Sequence, residues 1–327
     1  MSNKYIVIST DVDWRYISWE KPSKDGEVSY FSDLPFEGLP LYRKLIKLFY
    51  SWTINKKGVR VPFRGICYKG IVRAFHLNTE DHVKIIFYDR SRASYDFDFI
   101  QYLRDNISGV KIGYLFSDVV EKSGAKLFGI EDKLSRYYDK VFSFDRMDSA
   151  RYGFDYSYLI YDRIIRPKHI QPEFDVFLVA KAKDRLPELI AAYDICAQCG
   201  LRIDFVINAI PLDQLDVVGG REIQTNKILP YNEVVERLRN SKCIVDVMQK
   251  ESKGITLNIV EAVVYNIKAI SNNSALMREP FYDKTRIFIL TDTTAPEEII
   301  DFLNTPMIPY SFDDRRIFSG VNLFERL

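Results

Sequence analysis

Three cations within five residues follow a continuous apolar stretch in the second half of the chain. Lys181, Lys183 and Arg185 come directly after segment 174–180, where a helical pattern begins. A helix N-terminus exposes unpaired N–H groups and a partial positive charge, so cations there are unfavourable unless an anion binds. Because Lys and Arg also pair with phosphate oxygens, the pattern favours a diphosphate site over the alternative of a solvated charged loop. The chain has neither a GxGxxG nor a GxxxxGK(S/T) sequence here, which disfavours a dinucleotide dehydrogenase or a P-loop enzyme.

A second candidate site is segment 255–264 with the glycine that precedes it. Seven of these ten residues are apolar, which predicts a helix buried on most sides. Glu261 lies on an otherwise apolar face, and burying a carboxylate costs several kcal/mol unless donors pair with it. The donors could be internal, but we favour ligand hydroxyls, since an acidic residue binds ribose in dinucleotide folds. Gly254 would let the backbone approach a phosphate closely.

Segment 252–262, followed by 268–273, resembles bacterial polysaccharide-biosynthesis glycosyltransferases of the GT-B architecture. In that group we expect a strand ending in Asp, a Gly-Leu-Thr sequence, a helix carrying Glu, and a strand ending near Asn. This chain has, in that order, Ile244-Val245-Asp246, Gly254-Ile255-Thr256, Glu261 and Asn272-Asn273. The resemblance covers residues 140–275 well and the first 80 residues poorly. Further segments that resemble the group are 174–177 with Lys183 and Arg185, 229–233, 142–145 with Asp148, and 152–154.

The resemblance implies a glycosyltransferase that moves a sugar from a nucleotide-sugar donor to a glycan or lipid-linked glycan acceptor in capsule or lipopolysaccharide synthesis. The donor would bind the second half of the chain and the acceptor the first half. The resemblance implies that no metal is needed, because helix dipoles and basic residues stabilise the departing diphosphate, and that no cofactor is used besides the nucleotide-sugar substrate. Besides the three cations, Gly254 and Glu261, the expected donor-binding residues are Asn208, Tyr231, Ile255, Thr256 and Asn258.

The chain departs from the group at one position. Many retaining members carry two glutamates separated by seven residues, whereas Lys253 stands eight positions before Glu261. The stereochemical outcome therefore stays open. Two other functions stay open as well: a sugar-nucleotide epimerase-like enzyme, and a non-catalytic nucleotide- or sugar-binding module of the same fold.

Two aspartates in the first half could take a proton from the acceptor hydroxyl. Asp13 and Asp118 both follow apparent strands, and a carboxylate within reach of the hydroxyl is suited to general-base catalysis. Asp11-Val12-Asp13 also has the spacing of metal-binding acids, but we interpret it as part of the acceptor half and not as a metal site.

The first half also contains a basic stretch. Nine Lys or Arg and no acid lie between Gly38 and Thr79, with aromatic residues interleaved, and residues 41–49 have the pattern of an amphipathic helix. Such a surface attracts anionic lipid headgroups, so we expect peripheral membrane contact through residues 41–73. A solvated face is the alternative. We expect no nucleic-acid partner, because the net charge of the whole chain is only +1.

The elements that must position these residues alternate between strand and helix. The chain has 327 residues, of which 47% are apolar, as expected for about two globular domains. Apolar strands separated by helices predict parallel βαβ units, hence an α/β fold of two Rossmann-like doubly wound domains facing across a cleft. We expect an N-terminal acceptor domain over 1–165, a nucleotide-sugar domain over 166–310, and a tail over 311–327 that returns to the first domain. No apolar run long enough for a membrane span and no signal peptide is found, so we expect a cytoplasmic protein at the inner face of the membrane.

Overall fold

The computed structural model describes residues 3–9, 18–50, 63–78, 80–89, 91–127, 129–163, 171–248 and 254–327. They form two compact units, one within Met1–Ile164 and Ser319–Leu327, the other within Ile165–Phe318. Each unit contains a six-stranded sheet whose described strand pairs are all parallel. The predicted α/β class with Rossmann-like doubly wound domains is confirmed for each unit.

The first sheet has the strand order β2-β1-β3-β4-β5-β6. Its central strands end in apolar residues that are buried because both faces of the sheet are covered; Ile6, Val7 and Ile8 of β1, for example, are fully buried. The strands are β1 (Asn3–Ile8), β2 (Val28–Phe31), β3 (His82–Tyr88), β4 (Lys111–Leu115), β5 (Lys140–Ser143) and β6 (Asp155–Tyr156). The helices before the second unit are α1 (Glu20–Lys24), α2 (Pro40–Phe49), α3 (Tyr68–Arg73), α4 (Phe97–Asn106), α5 (Gly124–Leu127), α6 (Leu134–Tyr137) and α7 (Arg146–Tyr152).

The second sheet has the strand order β12-β11-β10-β7-β8-β9. Its strands are β7 (Phe174–Lys181), β8 (Ile203–Asn208), β9 (Ile223–Thr225), β10 (Ser241–Asp246), β11 (Lys268–Ser271) and β12 (Ile287–Ile289). Its helices are α8 (Leu186–Gln198), α9 (Leu215–Val218), α10 (Tyr231–Arg239), α11 (Leu257–Tyr265), α12 (Pro296–Asn304) and α13 (Phe312–Arg316). The final helix, α14 (Val321–Arg326), belongs to the first unit. Short 3-10 turns occur at Arg64–Cys67, Arg92–Tyr95, Val120–Lys122, Glu131–Lys133, Leu212–Gln214 and Ser274–Arg278.

Each sheet has a point where the strand order reverses direction. In the first sheet this point lies between β1 and β3, and in the second sheet between β7 and β10. Ligands of open parallel sheets bind outside the carboxyl ends of the strands at such a switch point. The fold therefore brings the residues after β7 next to those after β10.

No helix in the described ranges has the length and apolar character that a membrane crossing requires.

Candidate functional site

The predicted cations lie at the switch point of the second sheet. Lys181 is the last residue of β7 and is exposed, as is Lys183, whereas Ala182 between them is fully buried. Lys183 has a φ of 44°, a left-handed conformation that is unfavourable for a residue with a side chain. Backbone strain of this kind clusters at functional sites, which makes this loop a candidate for ligand binding.

Arg185 connects the two strands that flank the switch point. Its Nη1 donates to the carbonyl of Val247, the residue after β10, and its Nε donates to the carbonyl of Lys181 at 3.3 Å. Burial lowers the pKa of Arg185, whereas Asp246 and Asp184 raise it. An arginine keeps its positive charge across the physiological pH range. A partly buried cation interacts more strongly with an anion than a fully solvated one, so this position is suited to a phosphate.

Asp246, the last residue of β10, organises the carboxyl edge of the sheet. It is 1% exposed and accepts hydrogen bonds from Thr256 Oγ1 at 2.8 Å, from Ser271 Oγ at 2.9 Å, and from the side chain of Asn258. Burial raises the pKa of Asp246, while these hydrogen bonds lower it. Asp246 is not among the predicted donor-binding residues, but it fixes two of them, Thr256 and Asn258.

Helix α11 is capped at its N-terminus by a residue that is predicted to bind the donor. Thr256 is the N-cap, and its Oγ1 accepts from the backbone N of Ile259 at 3.3 Å. Because the same hydroxyl donates to Asp246, the first turn of the helix is held against β10. The remaining N–H groups of that turn are the kind that bind phosphate.

Two asparagines after β11 make hydrogen bonds to the backbone of the residues that flank 249–253, a segment outside the described residues. Asn272 Oδ1 accepts from the backbone N of Met248 at 2.8 Å, and Asn273 Nδ2 donates to the carbonyl of Gly254 at 3.3 Å. Gly254 and Ile255, both predicted to bind the donor, are buried. Gly254, Ile255 and Thr256, all predicted to bind the donor, thus lead into α11, and hydrogen bonds hold the first and last of them in place.

Glu261 has an internal partner. It is 1% exposed on α11, and the hydroxyl of Tyr231, the first residue of α10, donates to its Oε1. Two residues predicted to bind the nucleotide-sugar are therefore in contact with each other. Tyr231 is an internal hydrogen-bond donor to Glu261, which was the alternative to ligand hydroxyls. Contact of Glu261 with ligand hydroxyls stays a prediction.

Asn208 is the last residue of β8 and lies opposite Lys181 in the β7–β8 register. Its Oδ1 is buried and accepts no hydrogen bond within the described part of the chain. A buried polar atom without a partner costs about 1–3 kcal/mol. A ligand donor placed between the ends of β7 and β8 would remove that cost.

The candidates in the first unit are only partly described. Asp118 is half-buried after β4, and its Oδ1 accepts from the backbone N of Val119 at 2.9 Å. Asp13 lies outside the described residues, and so do Lys56, Lys57 and Arg60 of the basic stretch. Within the described ranges, no three or more His, Cys, Asp or Glu side chains are grouped as a metal ion would require.

The predicted amphipathic helix forms as α2. Ile46 and Phe49 are buried, whereas Arg43, Lys44 and Lys47 are exposed. The exposed large apolar residues in and around the described parts of the basic stretch are Leu39, Leu41, Leu48, Phe63 and Ile66.

No protein-family model matches the sequence, and a search of curated proteins found no match. Among solved structures, the chain is similar to AviGT4, a glycosyltransferase involved in avilamycin A biosynthesis, with 13% sequence identity and a TM-score of 0.54 over 99% of this chain and 95% of that one. It is also similar to the glycotransferase of kitacinnamycin, with 11% identity and a TM-score of 0.48 over 100% of this chain and 99% of that one. A third similar structure is an α,α-trehalose-phosphate synthase (UDP-forming) from Burkholderia vietnamiensis, with 11% identity and a TM-score of 0.48 over 99% of this chain and 93% of that one. At this identity, the similarity to AviGT4 shows a glycosyltransferase-like fold and not an activity.

Proposed function

We propose that this protein is a glycosyltransferase that binds a nucleotide-sugar donor at the switch point of its second sheet. It transfers the sugar to a glycan or lipid-linked glycan acceptor, held by the first unit, in the synthesis of capsule or lipopolysaccharide. The observation that carries the proposal is the position of Arg185, whose guanidinium joins the ends of β7 and β10 where parallel sheets bind their ligands.

The diphosphate of the donor rests between cations and a helix start. Lys181, Lys183 and Arg185 surround it from the β7 side, and the N-terminus of α11, which follows Gly254 and Thr256, faces it from the β10 side. Positive groups that are already in place stabilise the charge that develops on the departing diphosphate, which lowers the barrier to transfer. Because Asp246 holds the start of α11 through Thr256, little reorganisation is needed as that charge appears.

The nucleoside is placed by the buried polar residues beside this cradle. Glu261 accepts from the ribose hydroxyls, with Tyr231 fixing the orientation of the carboxylate. The buried Oδ1 of Asn208 accepts from a donor group of the ligand.

The acceptor hydroxyl loses its proton to a carboxylate of the first unit, with Asp13 and Asp118 as the candidates. We expect the departing diphosphate to be stabilised without a metal ion, so transfer should continue in EDTA.

Calorimetric titration with nucleoside diphosphates tests the donor site. We expect wild-type protein to bind at least one of UDP, GDP and ADP, and R185Q to bind it at least tenfold more weakly, the scale of a hydrogen bond to a charged group at about 1.5–3 kcal/mol. R202Q is the matched control, because Arg202 pairs with Asp175 at the amino edge of the same sheet. Wild-type protein that binds none of these nucleotides would contradict the proposal.

Product analysis by mass spectrometry tests the reaction. The protein is incubated with the nucleotide-sugar of the base it binds, with and without membrane glycolipid extract. A glycolipid that gains one sugar residue supports transfer. An epimerised nucleotide-sugar would indicate the epimerase-like alternative, and binding without either product the non-catalytic module.

We further propose that the basic surface of the first unit contacts an anionic membrane. Its exposed apolar residues lie among exposed cations, each worth about 1 kcal/mol at an anionic surface. Asp96 accepts from Tyr50 at 2.8 Å and from Tyr68 at 2.9 Å, which ties the end of α2 to the start of α3. The exposed cations of the described part are Arg43, Lys44, Lys47, Lys69 and Arg73.

Vesicle flotation tests this contact. Wild-type protein should float with phosphatidylglycerol-containing vesicles at low salt and not with pure phosphatidylcholine, and replacing Arg43, Lys44 and Lys47 with Gln should reduce flotation. Equal recovery with both vesicle types would exclude an electrostatic membrane contact.

A further inference from the structure

The loop after β4 carries a half-buried aspartate between two buried residues. Phe116 and Val120 are buried, whereas residues 117–119 between them are partly exposed, with Asp118 in the middle. Because the described strand pairs of this sheet are parallel, the loop lies at the carboxyl edge, outside which such sheets bind their ligands. Asp118 is therefore at an edge of the sheet where a side chain can reach a ligand.

A buried carboxylate holds the residue before Asp118. Asp89 comes directly after β3 and is fully buried, and its backbone N donates to the carbonyl of Leu115 at 2.9 Å. The backbone N of Ser117 donates to Asp89 Oδ1 at 3.1 Å, and the Ser117 hydroxyl donates to the same oxygen. A buried carboxylate needs donors of this kind, so the contact fixes the first part of the loop against the end of β3.

A second buried carboxylate holds the other end of the loop. Asp148 of α7 is 9% exposed, and its Oδ2 accepts from the backbone N of Val120 at 2.7 Å. Its own backbone N donates to the side chain of Asp145, the N-cap of α7, at 2.9 Å. Because α7 follows β5, and β4 lies between β3 and β5 in the sheet, the loop is tied to the segments after both neighbouring strands.

The carboxylate of Asp118 is itself oriented. Its Oδ1 accepts from the backbone N of Val119 at 2.9 Å. A carboxylate has about four lone-pair sites, so this bond leaves Asp118 able to accept a proton. A reacting group that is held in place before the reaction loses little freedom on reaching the transition state, which lowers the barrier.

We propose that Asp118, of the two candidates, is the base for the acceptor, and that Asp89 is a positioning residue that acts on it through Ser117. The acceptor oxygen bonds to the anomeric carbon of the donor as the bond from that carbon to the diphosphate breaks, and the hydroxyl proton goes to the Asp118 carboxylate. Asp148 positions the same loop from its other end. That Asp118 meets an acceptor rests on the proposed function; that Asp89 and Asp148 hold the loop does not.

Removal of the carboxylate tests the base. In the transfer assay with the nucleotide-sugar and membrane glycolipid extract, D118A should lower kcat at least about 100-fold, the lower end of what a positioned base contributes, and leave calorimetric binding of the nucleoside diphosphate unchanged. Added formate should restore part of the activity, because a small carboxylate can enter the vacated space and take the proton. D33A is the matched control, since Asp33 Oδ1 makes the same kind of contact with the backbone N of Leu34 at 2.8 Å.

Removal of the Ser117 hydroxyl tests the positioning and leaves the buried Asp89 in place. S117A should lower kcat about tenfold without changing the KM of the nucleotide-sugar, because a misplaced base slows the transfer and does not weaken donor binding. S117T, which keeps the hydroxyl, should recover the wild-type kcat, and formate should not help S117A. S157A is the control, because it removes a hydroxyl of the same unit that donates to the carbonyl of Tyr158 at 3.0 Å.

The outcomes distinguish this inference from the proposed function. Loss of transfer in D118A with partial recovery in formate supports the base, and loss in S117A but not in S117T or S157A supports the positioning. D118A that transfers like wild type, or S117A that behaves like S157A, overturns the inference while the proposed function stands. Wild-type protein that binds a nucleoside diphosphate but transfers no sugar contradicts the proposed transfer, and the role of Asp118 as a base with it.

Discussion

At the scale of single residues, the second unit depends on buried polar groups whose partners come from distant parts of the sequence. The carboxylate of Glu261 sits in an apolar helix and must be compensated by donors. One donor is Tyr231, thirty positions earlier. A tyrosine that orients a carboxylate leaves it acceptor capacity, since each ionised carboxylate has about four lone-pair sites.

Glu261 can be tested with a ligand that lacks the hydroxyls it is proposed to bind. E261Q should weaken binding of the preferred nucleoside diphosphate about tenfold, because one charged acceptor is lost. Binding of the 2′,3′-dideoxy analogue should be nearly the same in wild type and E261Q, since the ribose hydroxyls are absent. Calorimetric titration measures both. E236Q, on an exposed position of α10, is the control, and equal losses for both nucleotides would indicate that Glu261 acts only on the fold.

The residue types of this site are visible in the sequence, but their contacts are not. Lys181, Lys183 and Arg185 are predicted because three cations at a strand-to-helix junction form a local pattern. The contact of Arg185 with Val247 spans 62 positions and depends on the strand order, which periodicity does not reveal. The role of Asp246 is missed for the same reason, since its partners lie on two other elements.

At the scale of the elements, the two edges of the second sheet differ in how their polar side chains are paired. At the carboxyl edge, Asn208 keeps a buried oxygen without a partner in the described chain. At the amino edge, Asp175 of β7 accepts from Arg202 Nε at Oδ2 (3.1 Å) and from Arg202 Nη2 at Oδ1 (3.2 Å), and Lys242 Nζ of β10 lies 2.8 Å from the same Oδ1. At the amino edge, the charged side chains of β7, β10 and the residue before β8 pair with one another, which stabilises the sheet. At the carboxyl edge, the side-chain oxygen of Asn208 can accept from a ligand.

This amino-edge cluster predicts a pH dependence of stability. Burial raises the pKa of Asp175, but the hydrogen bonds from Arg202 and Lys242 outweigh it and hold the pKa well below its usual range. A depressed folded-state pKa contributes stability that is present above the unfolded pKa of about 3.9 and is lost as the pH falls below it. In urea unfolding, D175N should be less stable than wild type at pH 7 by about 1 kcal/mol, the scale of partly exposed ion pairs. The difference should shrink below pH 4, and a constant difference across pH would contradict this account.

Central strands are predicted from the sequence more closely than edge strands. The sequence runs His-Val-Lys-Ile-Ile-Phe-Tyr at 82–88 and Lys-Ala-Ile-Ser at 268–271 each predict a strand, and they form β3 and β11 with those bounds. β2 and β6 are not predicted. Both are short, four and two residues long, and neither has the continuous apolar run of a strand covered on both faces. Since the position of β2 decides where the order of the first sheet reverses, the switch point between β1 and β3 is visible only in the structure.

At the scale of the whole molecule, the first unit consists of two separate parts of the chain, Met1–Ile164 and Ser319–Leu327, and the second unit lies between them in the sequence. The ring of Phe324 in α14 is fully buried and stacks on Tyr5 of β1, with the ring centroids 4.5 Å apart. Lys84 of β3 donates from Nζ to the carbonyl of Phe324 at 2.6 Å. Residues 319–327 therefore pack on the sheet of the first unit, which takes in chain from both sides of the second unit.

Because Phe324 packs against β1 and β3, a substitution at this position should reduce the stability of these strands and not that of the second unit, which precedes it in the sequence. F324A should destabilise the first unit by about 3–5 kcal/mol, because a large aromatic side chain is removed from a packed core. In hydrogen exchange followed by mass spectrometry, protection should fall in β1 and β3 and stay unchanged in β7 and β10. F312A is the matched control, since Phe312 is 72% exposed on α13 and its loss should change neither unit. Faster exchange in β7 and β10 of F324A would show that the two units do not unfold separately.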